Sequence, residues 1–293
     1  MAVEGTAAVD RADVTFRSGG VRCAGWLYRP THTDGDVACV VMGHGAALTR
    51  RDGLALYAEA LARAGTAVLV YDHRFLGDSE GAPRQRIRMS EQLADRLAAI
   101  AFARAQDGVD PDRIIVWGFS LSGGSATEAA AVDQRVSGAI LLCPLLDGLG
   151  RANYALRTQP GNAAWIMPRA VRDVVIPATA ESGGHAALSF PGELDGFRSI
   201  TAPGWHNEVR ARALLTLPFY RPIKLARKIR CPILIQEGRR DISVPSRAIG
   251  RLAKRAPRAV LKRYDCDHFE PFHGEHPTQI IADQVAWLSS LSR

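Results

Sequence analysis

The stretch RIIVWGFSLSGG, residues 113–124, decides the fold. Ile114 to Trp117 form an apolar run without the polar alternation of a half-exposed strand, which suits a strand covered on both faces of its sheet. The run stops at Gly118-Phe119-Ser120, and beyond Gly123-Gly124 the small residues SATEAAA lead into a helix. A strand that turns this sharply into a helix holds the turn residue's side chain out at the tip, at the cost of strained dihedrals and small neighbours two positions either side. Gly118 fits one side of Ser120 and Ser122 stands on the other, with Gly123 and Gly124 allowing helix and strand to approach closely. A second register makes Ser122 the exposed residue, between Ser120 and Gly124; the strand's end at Trp117 favours Ser120. The plainer alternative is a glycine-rich turn with incidental serines.

The same rhythm of buried strand and helix extends outward in both directions. Upstream, ADVTFRSGGVRCAGWLYRP reads as a hairpin turning at Ser18-Gly19-Gly20, Val37 to Met42 as a buried strand running into Gly43-His44-Gly45, and Gly53 to Gly65 as a helix. TAVLVYD is the next strand, RFLGDSEGAPR a loop, and Ser90 to Gln106 an amphipathic helix with Ser90 as its N-cap, followed by a turn at VDPD. Downstream come the strand Ser137 to Cys143, then CPILIQEG, a helix around Ser246 to Arg255, the strand AVLKRYD and a closing helix from Pro277 to Leu291. Alternation of this kind predicts an α/β fold with a mostly parallel central sheet flanked by helices.

From Gly148 to Arg221 the alternation breaks. That stretch holds several Pro and Gly interruptions, apolar residues that look exposed (Trp165, Ile166, Met167, Phe190, Phe197, Trp205) and a single helical segment, NEVRARALLTL. A structureless loop of such length is improbable in a compact domain, so a mainly helical cap is expected at 148–221, inserted between core segments 1–147 and 222–293. Its apolar side chains, with Leu214, Leu215 and Phe219, imply as a group an apolar pocket.

Composition narrows the field. The 293 residues are 47% hydrophobic and 23% charged, a globular profile large enough for a sizeable core. The net charge of +7 comes from scattered arginines, with only four lysines and no dense basic run interleaved with aromatics, so nucleic acid is not an expected partner. No apolar run is long enough to span a bilayer, and the opening MAVEGTAAVDRADV carries acids in place of an apolar leader. Five cysteines without CxxC spacing read as reduced structural thiols, and the expected location is cytoplasmic.

A serine hydroxyl is a weak nucleophile at neutral pH and needs a base, itself oriented by an acid. Asp241 follows the strand PILIQEG in the loop RRDISVP, and His268 follows AVLKRYD in YDCDHFEPF, so both stand at carboxyl ends of parallel strands. The backbone N–H of Leu121, directly after Ser120, is a donor suited to a developing oxyanion. His268, His273 and His276 with Asp265, Asp267, Glu270 and Glu275 are dense enough to suggest zinc, but the Pro and Gly among them preclude one regular helical face, and no metal is expected. Neither GxGxxG nor a Walker pattern occurs, so no cofactor is expected.

With HG after the first long parallel strand, GxSx(S/G) after the fifth, D-x-x-V-P and a late DHF, the chain resembles the α/β-hydrolase superfamily over nearly all its length. The stretch VMGHGAALTRRDGLALYAEALARAGTAVLVYDHRFLGDSEGAPRQ is similar to a bacterial and fungal branch that includes polyketide-transferase-like proteins. The resemblance implies Ser120 as nucleophile, His268 as base, Asp241 as acid and Ala46, after the HG turn, as the second oxyanion donor. Asp147, after the strand ending at Cys143, is a rival acid, and Asp267 replaces the glycine that usually precedes the histidine. His44 is read as a structural histidine, and Gly77-Asp78-Ser79 as scaffold beside the site.

The expected activity is hydrolysis of carboxylic esters with an apolar acyl group through an acyl-enzyme. An acyltransferase, thioesterase, lactonase or amidase would use the same groups. A non-catalytic small-molecule receptor on a hydrolase scaffold is the reading from another class, and pairing of two copies through apolar lid surface is a further expectation.

Overall fold

A computed structural model describes residues 8–33 and 35–291; the opening residues 1–7, read above for a leader, lie outside these. Eight strands form one sheet: β1 (Val9–Ser18), β2 (Val21–Pro30), β3 (Val37–Gly43), β4 (Ala67–Tyr71), β5 (Val109–Phe119), β6 (Val136–Leu142), β9 (Ile233–Gly238) and β10 (Ala259–Tyr264). Their order is β1-β2-β4-β3-β5-β6-β9-β10. β1 pairs antiparallel with β2 and β2 with β4, and every other pairing is parallel.

Successive strand residues point to opposite faces. On one face Cys39, Val41, Val116, Leu141 and Ile235 pack against helices α2 (Met89–Arg104), α3 (Leu121–Val132) and α8 (Ser246–Arg255). On the other, Val40, Met42, Trp117, Leu142 and Leu234 pack against α1 (Leu54–Arg63) and α9 (His276–Leu291). Coverage on both faces is why these strands are continuous apolar runs, and each fully buried Val, Leu or Ile contributes about 1.5–3 kcal/mol relative to exposure.

Two local expectations are corrected. VDPD does not end in a turn before the strand: Val109 already pairs with Val37, and the register shifts before Cys39 meets Ile114, so the Asp-Pro-Asp segment bulges out of β5. Asp110 accepts the N–H of Asp112, so the local turn chemistry is present inside the strand. Ser90 is not an N-cap; α2 begins at Met89, with Arg88 at the cap position and no side-chain cap bond.

Between β6 and β9 no residue joins the large sheet. This insert carries α4 (Gly148–Thr158), α5 (Pro160–Arg172), α6 (Glu193–Ile200) and α7 (Ala213–Thr216), and a small antiparallel ribbon, β7 (Val175–Ile176) with β8 (Val209–Arg210). The single helix expected in NEVRARALLTL is largely replaced: the segment opens with β8 and keeps only the four residues of α7. The three longer helices begin beside Gly or Pro, with Asp147 capping α4 through Gly150 N–H, Pro160 in the first turn of α5 and Gly192 preceding α6. Phe190 and Phe197 are buried, against the expectation of exposure, while Met167 is 53% exposed. No helix among the described residues is long and apolar enough to cross a membrane.

Candidate functional site

Ser120 stands between β5 and α3 with φ 55° and ψ −119°, a strained conformation for a residue with a Cβ. The surroundings enforce it: Ser120 N–H donates to Leu142 O at 3.0 Å, and its carbonyl accepts from Gly123 N–H at 3.0 Å and Leu145 N–H at 2.8 Å. Ser122 turns the other way. Its side chain is fully buried and its hydroxyl accepts from the Arg96 guanidinium, so it offers no exposed nucleophile. The room for a serine there comes from Gly43, where a Cβ would lie 2.2 Å from Ser122 Oγ.

Arg96 was missed in the sequence, although a signal existed. It falls on the buried stripe of α2 with Gln92, Ala99, Ile100 and Ala103, where a charge demands partners. The guanidinium donates to Val41 O, Trp117 O, Ser122 O and Ser125 Oγ, joining the ends of β3 and β5 to the first turn of α3 beneath Ser120.

His268 Nε2 lies 3.0 Å from Ser120 Oγ, and its Nδ1 lies 2.6 Å from Asp241 Oδ2. Asp241 Oδ1 accepts the N–H groups of Ser243 at 2.8 Å and Val244 at 3.1 Å, which fixes the carboxylate plane. The loops carrying the two residues meet at Gly238, where a Cβ would stand 2.6 Å from Cys266 O and 2.8 Å from Asp267 O. Asp267 shapes the histidine loop: its carboxylate accepts Phe269 and Glu270 N–H, both at 2.8 Å, while Glu270 accepts Asp267 N–H at 2.7 Å. This reciprocal cap occupies the position of the usual glycine. The Phe119 ring lies 4.8 Å from that of His268.

Asp147 has other partners. Its carboxylate receives Arg221 at 3.1 Å and Arg251 at 3.0 Å, and Asp241 is the acid that meets His268. Cys143 is an unforeseen neighbour of Asp241 and His268, the three side chains bringing their ligand atoms within 4.8 Å of one another. Burial, reinforced by the Asp241 carboxylate, pushes its thiol well above the usual value. His273 and His276 join no such group among the described residues. All five cysteines are buried and free, and burial pushes the Cys39 thiol to about 12.

His44 uses both ring nitrogens, Nδ1 toward Gly45 O at 2.9 Å and Nε2 toward His73 N–H at 3.4 Å, and burial lowers its pKa to about 3. In the neighbouring loop Asp72 gathers the Arg50 guanidinium with Arg50 and Asp78 N–H, and Ser79 Oγ donates to Asp72 O.

Ser120 and His268 open into a cavity of about 240 Å³ that Ala46 and Leu121 also line. The insert supplies most of the wall, including Ile166, Met167, Phe197, Leu214 and Leu215. Trp165, Trp205 and Phe219 are not in the lining: Trp165 stacks on His185, Trp205 Nε1 donates to Ala47 O at 2.8 Å, and Phe219 is 85% exposed. The Trp205 bond ties the insert to the loop that bears Ala46. Five polar side chains besides the Ser-His pair interrupt the apolar wall, Arg151, Gln159, Asn162, Glu193 and Ser243, and no sequence motif marks them.

A mostly parallel sheet of this order, with a serine on a strained strand-to-helix turn, defines an α/β hydrolase. The chain belongs to the hydrolase family described as serine aminopeptidase, S33, whose model matches residues 36–269. It is 35% identical over 291 residues to the quorum-quenching protein AidA of Acinetobacter baumannii, covering 95% of this chain and 94% of that protein. It is 30% identical over 213 residues to the polyketide transferase af380 of Aspergillus fumigatus, covering 72% of this chain and 68% of the relative. Among solved structures, the α/β hydrolase GrgF from Penicillium sp. sh18 superposes with a TM-score of 0.79 at 20% identity, covering 96% of this chain and 98% of that one.

Proposed function

We propose that the protein hydrolyses carboxylic esters with an apolar acyl group through an acyl-enzyme on Ser120. The observation that carries this reading is the continuous line Ser120 Oγ, His268 Nε2, His268 Nδ1, Asp241 Oδ2, with steps of 3.0 and 2.6 Å across the ring, opening into the largely apolar cavity. Ser120 Oγ attacks the substrate carbonyl carbon while His268 Nε2 takes the hydroxyl proton, and the carbonyl electron pair moves onto oxygen. The Ala46 and Leu121 N–H groups receive that oxyanion. Collapse re-forms the carbonyl and breaks the bond to the leaving alcohol, which departs with the proton from His268. Water then repeats the sequence on the acyl-enzyme, losing its proton to His268 and releasing the acid and free Ser120. Asp241 keeps Nδ1 protonated and steadies the imidazolium. The insert serves as the cap over the acyl group.

The relative described as a polyketide transferase favours a second outcome within the same chemistry, an alcohol or amine taking the place of water. A thioester, lactone or amide would change only the leaving group.

Ser120→Ala should lower kcat/KM for a p-nitrophenyl ester by on the order of 10⁴-fold or more with an unchanged circular dichroism spectrum. A fluorophosphonate should label the parent at Ser120 and leave the variant unlabelled. Parent-like turnover by the variant removes the assignment, and a parent that neither labels nor turns over esters is a receptor. Product analysis with competing alcohols separates hydrolase from transferase.

A further inference from the structure

Arg151 on α4 is 5% exposed and lines the cavity that holds Ser120. Among the described residues the only hydrogen-bond acceptor of its guanidinium is Glu193 on α6, and that contact is long at 3.5 Å; the guanidinium also covers the Phe190 ring at 4.1 Å. A guanidinium has five N–H donors, and those without an acceptor among the described residues are not fully occluded, in a side chain that lines the cavity. Glu193 is the better satisfied partner, accepting Phe190 N–H and Ser243 Oγ at 2.9 Å each. On α5, Asn162 lines the same cavity with its amide nitrogen used on Ala186 O and Ser189 Oγ, and its Oδ1 is buried without a partner among the described residues. Burial lowers the Arg151 pKa from its ordinary value, as expected of a cation short of partners.

Resting on the ester-hydrolase reading above, we propose that Arg151 is a specificity-determining residue that hydrogen-bonds an uncharged carbonyl oxygen carried within the substrate's acyl group. A wholly alkyl chain would leave these donors desolvated and unpaired, which a site discriminates against strongly. A carboxylate suits the site less well than a ketone or amide carbonyl. Glu193 already neutralises Arg151, and Asp241 stands one hydrogen bond further along, its Oδ1 held by the N–H of the residue whose hydroxyl donates to Glu193. A second anion here would meet two carboxylates.

The test is a matched set of octanoyl esters: the plain chain, isomers with one keto group at successive positions, and the monoester of the eight-carbon diacid. The quantity read is the ratio of kcat/KM for each ester to that of the plain chain. In the parent at least one keto isomer should exceed the plain ester by about 10-fold or more, and the diacid monoester should fall below it. In Arg151→Met the keto preference should collapse toward unity. Because Glu193 would then be a buried charge without its partner, the double variant Arg151→Met with Glu193→Gln removes both charges and should show the same collapse. No keto preference in the parent, a preference that survives both variants, or a preference for the diacid monoester overturns the proposal alone. A parent that hydrolyses none of the esters overturns it together with the ester-hydrolase reading.

Discussion

In the sheet the reacting groups are held by backbone against backbone: Ser120 by the carbonyl of Leu142, the loops of Asp241 and His268 by contact at Gly238. In the insert the polar groups that line the cavity are side chains held by few bonds, as Arg151 by Glu193 and Glu193 by Phe190 N–H and by Ser243 of the Asp241 loop. Backbone positions cannot change without moving a whole strand end, whereas side chains can be exchanged one at a time. On the proposed ester-hydrolase reading, a machine divided in this way keeps its chemistry in the sheet and its choice of acyl group in the insert. Substitutions at strand ends should therefore lower kcat for every substrate, and substitutions in the insert should alter which acyl chain is preferred.

The largest effect on the sheet side, after loss of Ser120 itself, belongs to Asp241→Asn. The backbone donors Ser243 and Val244 still find a carbonyl oxygen, so thermal stability should move little, but the amide cannot hold Nδ1 protonated. Esterase kcat should drop about 10⁴-fold for short and long acyl groups alike. A loss confined to one chain length would place Asp241 on the specificity side and break the division.

Gly238→Ala comes next. A methyl 2.6 Å from Cys266 O must push two backbones apart, since no flexible side chain is there to yield. The histidine loop would shift against the aspartate loop, and misplacement of about 1 Å costs about 10²-fold in kcat, with about 1–3 kcal/mol of stability from overpacking. Unfolding in urea and kcat on one ester measure both. Full activity would mean that the loops are not coupled through this glycine.

The contrast between sheet and insert also decides what was legible in the sequence. Ile114 to Trp117 and Ile233 to Gly238 are buried on both faces, so their hydrophobic runs announced strands, and the strand ends then pointed to Ser120, Asp241 and His268. Helices α4 and α5 bury only a narrow side; α4 has two buried residues, Gly148 and Arg151, and α5 two, Asn162 and Ala170. α5 does carry apolar residues at helical spacing, Ala163, Ile166, Met167 and Ala170, but three of them line a cavity instead of a packed core, and Pro168 inside the helix masks the period. Arg96 and Arg151 illustrate a further limit. Arg96 falls on the apolar stripe of α2, yet its acceptors at the ends of β3 and β5 are set by the fold, and Arg151 reads as a solvated surface charge until the fold places it in the cavity wall.

Glu128 on α3 gives a smaller, pH-dependent effect. Burial pushes its carboxyl up to about 7, against the lowering influence of the Tyr220 hydroxyl and Arg96. The folded protein thus keeps a proton that the unfolded chain releases near the ordinary value of 4.5. Stability from this group is full below that value and is lost as pH rises through about 7. Glu128→Gln removes the loss, so the variant should match the parent near pH 4.5 and exceed it at pH 8 by about 1–2 kcal/mol after allowance for solvent screening. Thermal melts at the two pH values check it; an equal shift at both would mean that Glu128 does not titrate between them.

The smallest effect sharpens the comparison from the insert's side. Met167 lines the cavity and yet is 53% exposed, so it stands at the rim and not at the reacting centre. A short acyl group held at Ser120 ends before the rim, while a long one must pass it and cover part of the thioether. Met167→Gln replaces that apolar contact with a group that prefers water, at a cost near the roughly 0.8 kcal/mol of one buried methylene, or about 4-fold in KM. Acetyl and lauroyl esters should therefore diverge: KM rises several-fold for the long chain, the short chain shifts less, and kcat moves for neither. Stability should change by less than about 0.5 kcal/mol, because the side chain is half in solvent. A uniform fall in kcat over all chain lengths would show that the rim governs the chemical step, and the separation of sheet from insert would fail where it is easiest to test.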